Sequence, residues 1–213
     1  MNDVCLVRPE IGLQALMESR RSVRRFRPDA VPRELVRRLL RAAGAAPSAH
    51  NRQPWRYVLV EDPAAKDRLA TAMGRRLAAD RQRDGDDADA IRRDVERSYL
   101  RITRAPVVIL VCLTLDEMDS YGDASRSQAE FLMAVQSTAM ATQNLLLAAH
   151  AEGLGGCWLC APLFCPDAVR AALGLAETWQ PQGLVTLGFP LEPAKPKPRK
   201  KLDEILFVRD APL

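Results

Sequence analysis

The sequence predicts an α+β fold in a single domain spanning residues 1–213, and three observations carry that expectation. Segments with helical spacing outnumber segments with strand character. The strands are scattered among the helices instead of alternating with them one for one. No internal repeat and no stretch that reads as a domain boundary interrupts the 213 residues. A chain of this length buries a substantial core.

Taken in order, residues 10–19 place Ile11, Leu13, Leu16 and Met17 at helical spacing. A basic run, Arg20-Arg21-Ser22-Val23-Arg24-Arg25-Phe26-Arg27, follows. Val31-Pro32 opens a second helix to about residue 43, with Pro32 suited to its first turn and Gly44 to its C-terminal cap. Residues 46–55 carry two prolines and several amide or hydroxyl side chains, which predicts an irregular loop. A short strand is expected over 56–61, a helix over 63–83, a charged loop over 84–87 and a helix over 88–103. The unbroken run Val107-Val108-Ile109-Leu110-Val111-Cys112-Leu113 reads as a strand buried on both faces. After a turn at 120–123, Ser125 and Gln128 have capping-box spacing for the longest helix, 127–152, closed by Gly153. Its apolar residues fall on more than one face, so burial all round is expected, either centrally or in a subunit interface. Strands over 155–159 and 183–189 and a short helix over 166–173 complete the pattern. Residues 193–213 form a C-terminal extended segment, basic and proline-stiffened in its first part.

Bulk composition narrows the function. The 31 basic and 27 acidic residues leave a net charge of +4, mixed along the chain, which argues against a dedicated nucleic-acid binder. No stretch reaches the ~20 apolar residues of a membrane span. Residues 1–8 hold no long apolar run, so no secretory leader is expected, and five cysteines without one point to free thiols in a reducing cytoplasm.

Three polar segments hold the chemistry. The basic run supplies arginines, whose forked donors match phosphate oxygens two at a time, with the Ser22 hydroxyl among them. The loop Ala46-Pro47-Ser48-Ala49-His50-Asn51-Arg52-Gln53-Pro54-Trp55 supplies amides for a ring edge. Lys197 and Arg199 lie in the basic end segment, and Gly155-Gly156-Cys157-Trp158-Leu159 offers an apolar floor. Brought together, these are the parts of a flavin mononucleotide (FMN) site. Solvated loops are the alternative for each. Cys157, Cys160 and Cys165 lack a second pair or a histidine at zinc spacing, so buried thiols are expected and no metal. His50 reads as a loop residue and His150 as a structural one.

Arg-x-Ser-x-Arg after a first helix, Ala-Pro-Ser-x-x-Asn-x-Gln-Pro-Trp some way on, and Gly-Leu-Gly-x-Cys-Trp after a long helix together resemble the nitroreductase superfamily of flavin enzymes, from about residue 16 to 206. The resemblance implies an α/β sandwich with a central mixed or antiparallel sheet flanked by helices, in an intertwined homodimer with flavin at the subunit interface. It implies FMN as cofactor and NAD(P)H as electron donor. Hydride or electrons would pass through the flavin to a small-molecule acceptor such as a nitro compound or a quinone. Arg20 and Ser22 match positions that hold the phosphate and ribityl chain, and Arg24 matches a cation at the pyrimidine edge of the ring, where charge develops. Arg21 is counted with this set, with surface charge as its alternative reading, and Arg25 and Arg27 read as surface charge. Ser48, Asn51 and Gln53 match a loop reaching the flavin from the partner subunit, and Lys197 and Arg199 match a basic pair closing on the phosphate. Leu159, Cys160 and Ala161 match the turn facing the ring, with Cys160 and Ala161 standing where the superfamily often has glycines. No catalytic residue is assigned.

Tyr121-Gly122-Asp123-Ala124-x-Arg126 and Ala129-Glu130 look closest to the flavin domain fused to the glutamate ligase of deazaflavin-cofactor biosynthesis. That likeness implies, as an alternative, a stand-alone reductase of a dehydro-deazaflavin precursor. A flavin- or deazaflavin-binding protein without turnover is a second alternative.

Overall fold

The computed structural model describes residues 12–209. Among them, β1 (Trp55–Val60), β2 (Val107–Leu113), β3 (Gly155–Leu159) and β4 (Gln180–Gly188) pair in the order β1-β2-β4-β3, and every neighbouring pair is antiparallel. Of the mixed or antiparallel sheet expected, the antiparallel form is found. Strand β2 lies inside the sheet and is buried at all seven positions. Its side chains alternate between two cores, as strand geometry requires. Val107, Ile109 and Val111 enter one core with α2 (Arg33–Gly44) and α5 (Ala124–Ala151). Val108, Leu110 and Cys112 enter the other with α3 (Pro63–Arg83), α4 (Ala88–Thr103) and α6 (Pro166–Leu173). A short α1 (Leu13–Ser19) packs on α5. Glu10 and Ile11 of the expected first helix lie outside the described residues.

Helices α3 and α4 begin and end where their sequences indicate. Asp62 caps α3 by accepting from the amides of Ala64 and Ala65, both at 3.1 Å, and Asp87 caps α4 through Ala90 at 2.8 Å. Lys66 is buried, and its Nζ donates to the carbonyls of Ala105 at 2.8 Å and Pro106 at 3.0 Å, satisfying the junction between α4 and β2.

Two local expectations are corrected. Gly44 is the last residue of α2 and Pro32 its N-cap; the chain turns at Ala45 with φ −82° and ψ 2°, which needs no glycine. Helix α5 starts at Ala124, capped by Asp123, which accepts from the Arg126 amide at 2.9 Å and pairs with its guanidinium. The Ser125–Gln128 box is therefore not the cap. Within one chain α5 is buried on one side, and the expected cover for its other side is a subunit interface. Small residues, Ala134, Ser137, Thr138, Ala141 and Thr142, are buried, while Leu132 (47% exposed) and Met140 (42%) are exposed. At 28 residues the helix is about 42 Å long. No helix among the described residues is long and apolar enough to cross a membrane.

Glycine matters most in β4. The Trp158 ring of β3 lies over Gly183, where an added Cβ would come within 2.4 Å of its Cζ2. Gly183→Ala should cost about 1–3 kcal/mol through overpacking, with about 2–4 °C lost in Tm per kcal/mol for a chain of this size. Thermal denaturation followed by circular dichroism checks it; an unchanged Tm means that the indole does not rest there.

Candidate functional site

The basic run is built onto the sheet. After α1 the chain straightens, and Ser22 forms a parallel bridge with Gly156, with the Val23 amide donating to the Gly156 carbonyl at 3.0 Å. Further on, Phe26 bridges Pro190, and the Arg27 amide donates to the Phe189 carbonyl at 2.9 Å. The segment thus covers the β3 edge and the end of β4. It fits because β3 starts with two glycines: a Cβ on Gly155 would lie 2.7 Å from the Cβ of Val23.

Arg21, Ser22, Arg24, Lys197 and Arg199 together line a cavity of about 440 Å³. Arg20 and Arg21 also line a smaller one of about 150 Å³ with His150 and Leu154. Burial, followed by the charges of Arg199 and Arg21, holds the Arg20 guanidinium below its usual pKa. The fold therefore brings together the arginine cluster and the late basic pair. No ion pair neutralises Arg20, Ser22's neighbour Arg24, Lys197 or Arg199 among the described residues. Arg21 is partly turned back on the main chain. Its Nη1 donates to the carbonyls of Glu18 and Arg20, and its buried Nε has no partner. Arg25 pairs with Glu192 at 2.8 Å, and Arg27 stacks on Phe189 at 5.2 Å, so both have structural employment.

Behind this wall Cys157 is buried. Burial pushes its thiol pKa up against the opposing pull of Arg24, Arg101 and Arg20. Arg101 is the residue that sequence reasoning missed. It lies on α4, and its own pKa is lowered by burial and then by Arg24 and Arg97. The four-residue spacing of Arg93, Arg97 and Arg101 was the available signal.

The loop containing Ser48, Asn51 and Gln53 does not join this cavity within one chain. The Ala49 amide donates to Ser137 Oγ at 3.3 Å, fixing the loop on the middle of α5. The arginine cluster meets the other end of that helix, where Ser19 and His150 share a 2.9 Å hydrogen bond. The thirteen residues from Ser137 to His150 span about 20 Å. The loop is nonetheless specified tightly. His50, Asn51 and Gln53 hold left-handed φ values of 49°, 54° and 50°, the Gln53 amide donates to Ser48 Oγ at 3.0 Å, and Arg52 pairs with Asp119 at 2.7 Å. Such a concentration of unfavourable backbone marks a functional segment more often than a connecting one.

Leu159 ends β3, and Cys160 and Ala161 lead into a 3₁₀ turn over Ala161–Phe164. Leu159 is half-buried, whereas Cys160 and Ala161 are exposed. The Trp158 indole donates to the Cys160 sulfur at 2.9 Å, tying the turn to the strand. The Tyr121–Glu130 residues serve α5 itself: Asp123 caps it, Arg126 stacks on Tyr121 at 4.9 Å, and Glu130 accepts from the Asp119 amide at 3.1 Å. Within one chain these contacts are local to the start of α5.

Comparison with known proteins points the same way as the geometry. A family model described as the Nitroreductase family matches residues 17–189. The chain is 33% identical over 181 residues to a 5,6-dimethylbenzimidazole synthase of Rhodospirillum rubrum, covering 85% of this chain and 83% of that protein. It is 30% identical over 225 residues to an NADH dehydrogenase of Thermus thermophilus, covering 94% and 98%. Among solved structures, a nitroreductase of Desulfovibrio desulfuricans in complex with FMN superimposes with a TM-score of 0.72 at 26% identity, covering 95% and 99%. A docked basic segment on a glycine-started strand, in this α+β frame and with this match, places the protein: the chain belongs to the nitroreductase family.

Proposed function

We propose that this chain is an FMN-dependent oxidoreductase that passes hydride or electrons from NAD(P)H through the flavin to a small-molecule acceptor such as a nitro compound or a quinone. The observation that carries the reading is the cavity lined by Arg21, Ser22, Arg24, Lys197 and Arg199, with the desolvated Arg20 beside it. Its donor set fits a phosphate ester: guanidinium forks, an ammonium and a hydroxyl, with no carboxylate to repel an anion apart from Glu192, which Arg25 occupies.

When bound, the flavin supplies the hydride chemistry, and the protein supplies position and electrostatics. Arg20, Ser22, Lys197 and Arg199 hold the phosphate end. Arg24, with Arg101 behind it, keeps fixed positive charge at the pyrimidine edge, favouring the form of the ring that carries negative charge. The turn at Leu159, Cys160 and Ala161 would meet the ring through main-chain groups. Ser48, Asn51 and Gln53 reach it from a second copy of the chain.

A homodimer is part of this reading. What supports it is the outward apolar side of α5 at Leu132 and Met140, together with a C-terminal segment that exposes Leu202, Ile205, Leu206 and Phe207, the last at 89%. Exposed apolar surface of this extent favours a covering partner. Separation of the loop from the arginine cluster within one chain supports the same arrangement.

The relative from Rhodospirillum rubrum favours a second reading, formation of 5,6-dimethylbenzimidazole. Reduction of a dehydro-deazaflavin is the other activity worth assay, and flavin binding without turnover is the non-catalytic outcome.

Purified protein should be yellow and release stoichiometric FMN on denaturation, identified by mass. Arg20→Ala and Ser22→Ala should each weaken FMN retention by about tenfold, about 1.4 kcal/mol for one charge-assisted contact. Arg24→Ala should lower the flavin reduction potential. Wild-type affinity and potential in all three variants would place the site elsewhere. Oxidation of NADH or NADPH with nitroaromatics, quinones or a dehydro-deazaflavin as acceptor, alongside analysis for 5,6-dimethylbenzimidazole, separates the activities; bound flavin with no turnover favours the binding protein.

A further inference from the structure

We propose that the cleft between the Arg24–Phe26 stretch and α4 binds the phosphate-bearing part of a small redox partner. This inference rests on the flavin reading for its meaning, because the cleft shares Arg24 and Arg25 with the cofactor cavity.

The cleft has a volume of about 630 Å³, within the ~300–1,000 Å³ of small-molecule sites. Six arginines line it: Arg24, Arg25, Arg93, Arg97, Arg101 and Arg104. Phe26, Leu100 and Leu191 give it an apolar floor, and Glu96 is its one acidic residue. Three of the arginines, Arg93, Arg97 and Arg101, come from α4 and Arg104 is its C-cap; spacings of four, four and three put them on one side.

A solvated charged face would look different, and this chain shows how. Elsewhere on the same helix pair four of six arginines are neutralised, Arg76 by Asp80 at 2.8 Å, Arg81 by Asp86 at 2.6 Å, Arg83 by Asp80 and Arg92 by Asp89, both at 3.2 Å, while Arg68 and Arg75 are not. In the cleft only Arg25 and Arg97 have carboxylate partners, Glu192 and Asp94. Arg24, Arg93, Arg101 and Arg104 have none among the described residues. Arg101 is also half-buried, with Arg24 and Arg97 as like-charged neighbours. Crowding cations in a concave, partly apolar site is unfavourable in itself, and an anion with several charges relieves it. Concavity selects a small molecule over a nucleic acid, which needs an extended basic face. The phosphate has two chemical sources, a nicotinamide dinucleotide donor or a phosphorylated acceptor.

The test uses inorganic pyrophosphate as probe on the protein as purified, with its flavin content measured first. Calorimetric titration should show binding that weakens as salt is raised. An Arg93→Gln/Arg104→Gln double variant, exposed positions outside the cofactor cavity, should bind pyrophosphate about tenfold more weakly with unchanged flavin content and Tm. No binding by the wild type, or equal affinity in the variant, overturns the proposal. In turnover, pyrophosphate competition against NADPH and a raised KM for NADPH in the variant assign the donor. A raised KM for riboflavin 5′-phosphate but not for riboflavin, at unchanged KM for NADPH, assigns the acceptor. An effect on neither overturns the assignment to a redox partner. Colourless protein would sink the flavin reading alone, since the contrast between wild type and variant still decides whether the cleft takes phosphate.

Discussion

The main-chain pairing of Ser22 and Val23 with Gly156 is the constraint on which the rest of the site depends. It caps the β3 edge, which would otherwise expose unpaired backbone groups. It also fixes the position of the arginines that follow, Arg24 and Arg25, which line the cavity with Arg21 and Ser22. That closeness is possible only because Gly155 has no Cβ to meet Val23. The same strand then runs from Gly155 to Leu159 and into the Cys160–Ala161 turn, so one element carries both the support for the basic wall and the turn beside it.

Charge placement gives this scaffold its chemistry. Most arginines outside the two cavities are paired with carboxylates, and such exposed pairs contribute little to stability. At the cavities Arg25 and Arg97 have carboxylate partners, but Arg24, Arg93, Arg101, Arg104 and Arg199 have none among the described residues, and Arg20 and Arg101 are partly desolvated besides. Positive charge held near low-dielectric surface acts more strongly on an anion than the same charge in water. Lys66 and Asp62, by contrast, are spent on main-chain groups and position the helices rather than the ligand.

Much of this was legible in the sequence where a single local signal decided the matter. The apolar run from Val107 to Leu113 could only be an inner strand, and the expected helices over 63–83 and 88–103 match α3 and α4, whose caps Asp62 and Asp87 the structure supplies. The cap of α5 was misjudged because Asp123 outcompetes Ser125: a carboxylate accepts a stronger, charge-assisted hydrogen bond and also pairs with the Arg126 side chain. Of the cleft, only the helical spacing of Arg93, Arg97 and Arg101 was legible. Its arginines lie on two segments far apart in the chain, and only the sheet order β1-β2-β4-β3, which carries α4 to the arginine segment, brings them together. Resemblance to a family, not periodicity, pointed to the Ser48–Gln53 loop; its strained backbone could not be read from residue types.

The central claim is that one chain supplies the arginine wall and another the Ser48–Gln53 loop. Subunit complementation tests it most directly. Arg20→Ala and Asn51→Ala chains, each poor in bound flavin alone, are unfolded together and refolded as a one-to-one mixture. Random pairing makes half of the dimers mixed, each with one intact and one doubly altered site, so about a quarter of all sites should regain wild-type flavin affinity. Recovery at that level is what a shared site predicts. No recovery, with mixed dimers shown to form, would mean that both walls belong to the same chain and would contradict the account.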